Sequence, residues 1–334
     1  MRALRETLNN LSDVPARMGV GTRQLGVGSR LEWVLESGQF AVTTEIAPPA
    51  SSDPSEIRTL ASLYRGVVDA CNVTDCQRAL VKMSSFGASV LALREGIEPI
   101  MQMVLRDRNR IALQADVLGA SALGVRAILC LRGDDPKVGN EKDAAGVFDL
   151  NTEEMVSMFR AMRDVGTLRG GDKIDHPPKF LIGAAANPLG GNLEQSFANV
   201  RGKVTAGADF IQTQAIYDID SFEEWMRLVR KEWLHEKVHI LAGVIPLRSP
   251  KFAQFLVDKV PGIVIPKDIM ERMESAPDAR AEGMSIALRT IKALRKIEGV
   301  RGVHVMAINW DDVVPLLVKE AGLLPRPTMP REPL

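Results

Sequence analysis

Arg126-Ala127-Ile128-Leu129-Cys130-Leu131-Arg132-Gly133-Asp134-Asp135-Pro136 is an apolar run that stops abruptly in charge. Residues 126–131 read as a short buried strand, because no polar residue alternates within the run. An arginine, a glycine and two carboxylates follow at once. Such an ending is expected at the carboxyl end of a strand in a parallel sheet. There the backbone is rigid and the loops are free to carry chemistry. The plainer alternative is a polar turn after a strand, since Gly-Asp-Asp-Pro is good turn material.

The pattern repeats in both directions. Towards the N-terminus, 99–105, 67–73 and 40–46 read as strands. Helices are expected at 109–123, at 84–95 with Val90, Leu91 and Leu93 as its apolar face, and after Ser52-Asp53-Pro54, where Asp53 caps and Pro54 opens the first turn. A short helix over 30–36 closes on Ser37-Gly38. Towards the C-terminus, a long polar loop over 133–151 leads to a helix near 152–165. Strands follow at 180–185, 210–213, 238–244 and 302–308. Their helices lie at 193–206, 219–233 and 249–258, in a long helical region that includes 278–297, and at 310–321. Eight strands alternating with helices over about 280 residues predict a (β/α)8 TIM barrel. We expect a single barrel over 31–324, a mobile N-terminal extension over 1–30 that carries Gly19, Gly21, Gly26 and Gly28, and an irregular tail over 325–334. A doubly wound sheet would also alternate, but no GxGxxG stands between a strand and a helix. Gly19-Val20-Gly21 lacks a preceding strand.

Forty-two basic residues balance forty-two acidic ones, which gives no support for nucleic acid or an anionic membrane as a main partner. Hydrophobic content of 46% and charged content of 25% are ordinary for a globular chain. No apolar run approaches the roughly 18 residues needed to span a bilayer, and no secretory h-region follows the early arginines. Cys71, Cys76 and Cys130 are an odd number in apolar surroundings and fit free thiols in a reducing cytoplasm. The four histidines lie far from them in sequence, so no metal site is expected.

The strand ends read Glu45; Asn72, Thr74 and Asp75; Arg106, Asp107 and Asn109; Arg132 and Asp134; Asn187; Gln212 and Gln214; and Asn309. Taken singly, each is an ordinary cap or turn former. Together they supply amides, hydroxyls and a few lone carboxylates, with no nucleophile beside a base. That set suits a large heterocycle with many hydrogen-bonding edges and does not suit acyl transfer.

Thr44-Glu45-Ile46-Ala47-Pro48-Pro49, Asn72-Val73-Thr74-Asp75, Leu131-Arg132-Gly133-Asp134, Lys203-Val204-Thr205-Ala206-Gly207-Ala208-Asp209, Thr213-Gln214 and Gly243-Val244-Ile245-Pro246 occur in the order and spacing of one family. From about residue 38 to 322 the chain resembles methylenetetrahydrofolate reductase, a flavin-dependent barrel. Asn72-Val73-Thr74-Asp75 and Arg106-Asp107-Arg108-Asn109 look closer to the branch of anaerobic one-carbon metabolism than to the common NADH-using bacterial branch.

The resemblance implies reduction of 5,10-methylenetetrahydrofolate to 5-methyltetrahydrofolate by hydride from a reduced flavin, FAD or FMN. It makes Glu45 the acid that protonates the departing folate nitrogen. A carboxyl that loses hydration in a pocket floor favours its neutral form, which suits that task. The plainer role for Glu45 is capping the turn before Pro48-Pro49. Asp134 matches the aspartate beside the flavin's pyrimidine edge, where negative charge makes hydride more available. Gln214 would hold the pterin through its two-sided amide. Arg132 would meet the pyrophosphate. Thr74, Gln102, Arg106, Asp107, Asn109, Gly133, Asn187, Asn199 and Lys203 complete the implied cofactor contacts. Gln102 stands where the common branch has a flavin-binding histidine. Asn187 and Gly190-Gly191 also depart from the family at the adenine half. NADH, NADPH or an electron-delivering partner protein would supply electrons, and a homo- or hetero-oligomer is expected. Two other readings fit the same amides: a partner-dependent subunit that takes electrons from another protein, and a pterin-dependent methyltransferase barrel without flavin.

Overall fold

The computed structural model describes residues 26–260 and 262–329. The expected mobile extension therefore lies almost wholly outside the described residues, as does the end of the tail. Eight parallel strands close into a ring in sequence order, β1 to β8. They are β1 (Ala41–Ile46), β2 (Ala70–Val73), β3 (Pro99–Val104), β4 (Ala127–Leu131), β5 (Leu181–Ala186), β6 (Phe210–Ala215), β7 (His239–Val244) and β8 (Val300–Val305). The TIM barrel expected from the alternation is what forms.

Helix α1 (Arg30–Glu36) precedes the ring. Then come α2 (Ser55–Tyr64), α3 (Ser85–Arg94), α4 (Arg110–Ala122), α5 (Thr152–Arg160), α6 (Leu193–Ala206), α7 (Ile219–Lys231), α8 (Pro250–Lys259), α9 (Lys267–Ser275), α10 (Ala279–Leu294) and α11 (Val313–Glu320). The largest apolar cluster lies between the strands' outer faces and these helices.

Helix α1 plugs the amino end of the barrel. Its Leu31, Val34 and Leu35 pack on Ala41, Ala70 and Ala127, the small first residues of three strands, which leave room for them. Phe210 fills the same layer, and only a glycine fits opposite it, because a Cβ on Gly183 would overlap its ring. The plug is anchored at its N-terminus. The Glu98 carboxylate accepts from Ser29 Oγ at 2.6 Å and from the backbone N–H of Leu31 at 3.1 Å, where the helix dipole favours negative charge.

Asp69, fully buried, ties this end together. It accepts from Val42 N at 2.8 Å, from Arg30 Nη2 at 3.1 Å and from Arg326 Nε at 3.2 Å. Arg326 Nη2 makes a second, closer contact with the carboxylate and donates to Phe40 O at 2.8 Å. The segment after α11 has no regular structure, yet its arginine is buried.

Four local expectations change. Helix α3 buries Ser85, Ala88, Ser89 and Ala92, while Val90, Leu91 and Leu93 sit half-exposed. Small side chains on that face let the helix lie close on the sheet, so contact there follows size more than hydrophobicity. The helical region around 278–297 is two helices, α9 and α10. Pro277 forces Ala276 into extended backbone (φ −69°, ψ 128°) between them. Strand β8 begins two residues earlier than 302 and ends at Val305, because Gly299 turns the chain at φ +92° and Val300 already pairs with Ile240. The helix expected over 152–165 is α-helical to Arg160 and continues as a wider π turn through Ala161–Val165.

Replacing Arg326 with Leu removes the main partner of a fully buried carboxylate. The variant should lose roughly 3 kcal/mol, the low end for a broken buried pair because Arg30 remains. A urea-unfolding midpoint unchanged from the parent would contradict the anchoring role.

Candidate functional site

The carboxyl ends of the strands form the mouth opposite the plug. Glu45 is the last but one residue of β1, and its side chain is 22% exposed. Its Oε1 faces His304 Nε2, from β8, at 3.5 Å. Below it, His304 Nδ1 meets Thr43 Oγ1 at 3.0 Å, and Gln212 Nε2 donates to the same hydroxyl at 3.3 Å. Gln212 and Asn72 exchange amide hydrogen bonds at 2.7 and 3.0 Å. Strands β2 and β6 stand four apart in the ring, so this amide pair crosses the lumen. All four residues below Glu45 are buried. The barrel interior is thus apolar at the plug and hydrogen-bonded beneath the mouth. Thr74, just past β2, and Gln102, on β3, are also buried.

Gln214 owes its position to an irregularity. The β6–β7 register breaks between Gln212 and Ala215, as a bulge does when it re-aims a side chain. Thr213 Oγ1 receives Gly243 N–H at 2.9 Å within this break, and a Cβ on Gly243 would overlap the Thr213 carbonyl oxygen. Gln214 is half-buried, with Oε1 accepting from Ala215 N at 3.1 Å.

The β3 and β4 ends form one edge of the mouth. Arg106 is 3% exposed and makes a bidentate pair with Asp107, Nε–Oδ1 and Nη2–Oδ2 both 2.7 Å. These bonds push the guanidinium pKa up, so it stays charged. Arg106 Nη2 also donates to Cys76 O at 3.1 Å, while Nη1 is buried with no protein partner. A buried charged donor left open is what an anionic or carbonyl acceptor of a bound group would satisfy. Gly133 adjoins it at φ +82°, and a Cβ there would lie 3.0 and 3.1 Å from the Cβ atoms of Val104 and Arg106. Arg132 is exposed, its guanidinium stacked 4.4 Å from the centroid of Phe148. Asp134 is exposed and accepts from Arg78 N at 2.9 Å, which clasps the loop after β4 to the loop after β2. Arg78 reaches onward to within 5.8 Å of the Phe255 ring on α8. The Asn109 side-chain oxygen caps α4 through Ile111 and Ala112 N–H, leaving its amide nitrogen for any ligand. Asp75 is structural: it holds Val104 N–H at 3.0 Å and pairs with Arg108 at 2.5 Å.

A second edge belongs to β5 and α6. Lys203 is buried and donates to Ala185 O at 2.7 Å and to exposed Asn199 Oδ1 at 2.6 Å. Burial pulls its ammonium below the ordinary amine value, against the opposing charge of Glu153. Asn187 turns the chain after β5. Its carbonyl accepts from Ser196 Oγ at 2.7 Å, and its amide packs directly on Gly190 and Gly262, where a Cβ on either would overlap it.

The strand-end residues named from sequence therefore gather at one mouth, as a floor (Glu45, Gln214 and the buried residues beneath) and two edges. His304 and Thr43 are the residues that sequence reasoning missed. The available signal was a histidine two positions from Gly302 in the otherwise apolar run 302–308. Weighing histidines only as metal ligands hid it. Among the described residues no three His, Cys, Asp or Glu side chains converge as a metal site, and no helix is long and apolar enough to cross a membrane.

Fold and site together define a (β/α)8 barrel with a lone acid on the floor of a polar, amide-lined mouth. The family model of methylenetetrahydrofolate reductase matches residues 30–322, and the chain belongs to that family. Methylenetetrahydrofolate reductase 1 of Schizosaccharomyces pombe is 26% identical over 237 residues, 68% of this chain and 36% of the yeast protein. The chain thus spans about a third of that relative's length. The 5,10-methylenetetrahydrofolate reductase of Pectobacterium carotovorum is 24% identical over 86% of this chain and 92% of its own. Among solved structures, a Clostridium thermocellum protein described as binding two copies of 5-methyl-5,6,7,8-tetrahydrofolic acid superposes with a TM-score of 0.61 at 12% identity, covering 88% of this chain and 98% of that one. This likeness concerns the fold.

Gly133→Ala tests the crowded edge. The substitution forces a side chain into left-handed backbone against Val104 and Arg106. It should cost about 1–3 kcal/mol, read as a lower thermal midpoint. A stability equal to the parent's would show that the close approach is not needed.

Proposed function

We propose that this chain reduces 5,10-methylenetetrahydrofolate to 5-methyltetrahydrofolate with a bound flavin, FAD first and FMN second. The observation that carries the reading is the single acid at the mouth floor, Glu45, set beside open polar groups in a member of this family. The donor set fits a flavin. The unpaired buried Nη1 of Arg106, the close backbone approach at Gly133 and the amides of Gln102, Asn187 and Gln214 offer donors and acceptors for a large heterocycle and its phosphates. Thr74, Asp107, Asn109, Arg132, Asn199 and Lys203 would complete its binding. When bound and reduced, the flavin supplies the hydride that reaches the folate methylene carbon.

The chain's own residues handle binding and the proton. Gln214 would fix the pterin by donating and accepting along one edge. Glu45 would give its proton to the departing nitrogen as the bond from that nitrogen to the methylene carbon breaks, leaving an iminium cation on the folate ready for hydride. Asp134 at the rim would stabilise that positive charge across the mouth, with its second oxygen still tied to Arg78. Electrons would come from NADH, NADPH or an electron-delivering protein. The free thiols Cys71, Cys76 and Cys130 suit a cytoplasmic setting.

The test is a spectrum of the purified protein, then anaerobic NADH or NADPH, then methylenetetrahydrofolate. A yellow protein bleached by the nucleotide and reoxidised by the folate is the expected result. Bleaching by dithionite alone, with reoxidation by folate, would assign the electrons to a protein partner. A protein that takes up neither FAD nor FMN would overturn the flavin reading in favour of the methyltransferase. Glu45→Gln should keep flavin and folate binding and slow folate-dependent reoxidation by roughly 10²-fold or more. Unimpaired reoxidation in that variant would remove Glu45 from the mechanism.

A further inference from the structure

We propose that His304 is a positioning residue that sets the proton state of Glu45, and that it is itself oriented by a buried hydrogen-bond chain through Thr43, Gln212 and Asn72. The inference rests on Glu45 being the acid. The argument starts at the far end of the chain. Asn72 Nδ2 donates to Gln212 Oε1 at 2.7 Å, and Gln212 Nε2 donates back to Asn72 Oδ1 at 3.0 Å. The structure turns the Nε2 end of the Gln212 amide, the end that carries hydrogens, towards Thr43. The remaining Nε2 hydrogen goes to Thr43 Oγ1 at 3.3 Å. A hydroxyl that accepts there still has its own hydrogen to give, and His304 Nδ1 stands at 3.0 Å while the Val303 carbonyl lies at 3.5 Å. Thr43 therefore donates to Nδ1. A neutral imidazole that accepts at Nδ1 carries its hydrogen on Nε2, and Nε2 faces Glu45 Oε1 at 3.5 Å.

The consequence falls on the acid. An N–H dipole 3.5 Å from Glu45 Oε1 favours its carboxylate through charge, the form left once the proton has gone to the folate. Other ionisable groups stand behind the pair. Tyr64, on α2, donates to Asp311 at 2.9 Å and feels the charges of Asp311, Cys71 and Glu45. On β7, Gly243 and Val244 pair with His304 and Val305 and bring no ionisable side chain. Glu45 is the ionisable side chain that the described residues set against Nε2. None of the four residues in the chain contains a group that the proposed reaction consumes, so their hydrogen bonding beneath the floor is explained by orientation.

The sign of the effect is fixed. Removing that N–H dipole leaves Glu45 protonated to higher pH. In His304→Phe, the infrared carbonyl band of protonated Glu45, identified by its loss in Glu45→Gln, should persist to higher pH than in the parent. This measurement needs no bound flavin. In the flavin-loaded, dithionite-reduced protein, the alkaline limb of folate-dependent reoxidation should move up in step. The rate at the plateau should fall about tenfold, with folate KM changed less than twofold. A band and limb that stay in place, or move down, overturn the proposal. A third readout uses the unsubstituted protein, so a poorly folding variant does not decide the matter. Histidine ring-nitrogen NMR, with His304 assigned by its loss in His304→Gln, should show a neutral ring protonated at Nε2, and protonation at Nδ1 overturns the assignment. Full reoxidation activity in Glu45→Gln would defeat the general-acid reading alone, because the infrared and NMR readouts would still report whether His304 governs the Glu45 proton.

Discussion

An eight-stranded ring encloses a space that must be filled, and this chain fills it in two chemically different ways. At the amino end the filling is dry: Leu31 and Leu35 of α1 press against alanines, and Phe210 lies over Gly183. Towards the mouth it is hydrogen-bonded, with the Asn72–Gln212 amide pair spanning the lumen. Inside the ring, the dry half supplies apolar burial. The wet half is tolerable only because its members satisfy one another, since an unpaired buried amide would cost on the order of 1–3 kcal/mol. The floor of the mouth stands on this second layer. Glu45 stands 3.5 Å from a histidine that this layer holds.

The same division explains how the edges of the mouth are built. Loops after parallel strands are long here, and they are fixed by polar contacts to each other. Arg106 grips Asp107 and the Cys76 carbonyl, Asp134 grips the Arg78 backbone, and Arg108 joins Asp75 to Asp116. Three non-glycine residues in the loop after β2 (Cys76, Arg78 and Ala79) have positive φ. Strain of that kind persists only when neighbours over-determine it, and the clasp to Asp134 is such a neighbour.

Much of this was legible in the sequence. The strands were visible because parallel strands are buried on both faces and read as unbroken apolar runs, and the rim residues were visible because charge follows those runs at once. The buried face of α3 was not legible, because hydrophobic pattern does not register how closely small residues such as Ala88 and Ala92 let a helix approach. The place of His304 was not legible either. Its meaning lies in Thr43, 261 positions away in sequence, and no local window contains both. Gln214 was visible as a residue type, but its direction depends on a register break that no propensity encodes.

Asp69 brings the two ends of the described fold to one point: Arg30 comes from the opening helix and Arg326 from beyond the last. The second of these contacts joins residues 257 positions apart. During synthesis β1 and β2 emerge early, and Asp69 with them, already within reach of Arg30, but Arg326 follows only 257 residues later. Closure of the ring against β8 waits for the same stretch. A partly made barrel therefore holds this carboxylate at its amino end with one of its two arginines, which disfavours drying of that end before Arg326 arrives. The order in which the chain is made and the order in which its amino end can become dry are thereby the same.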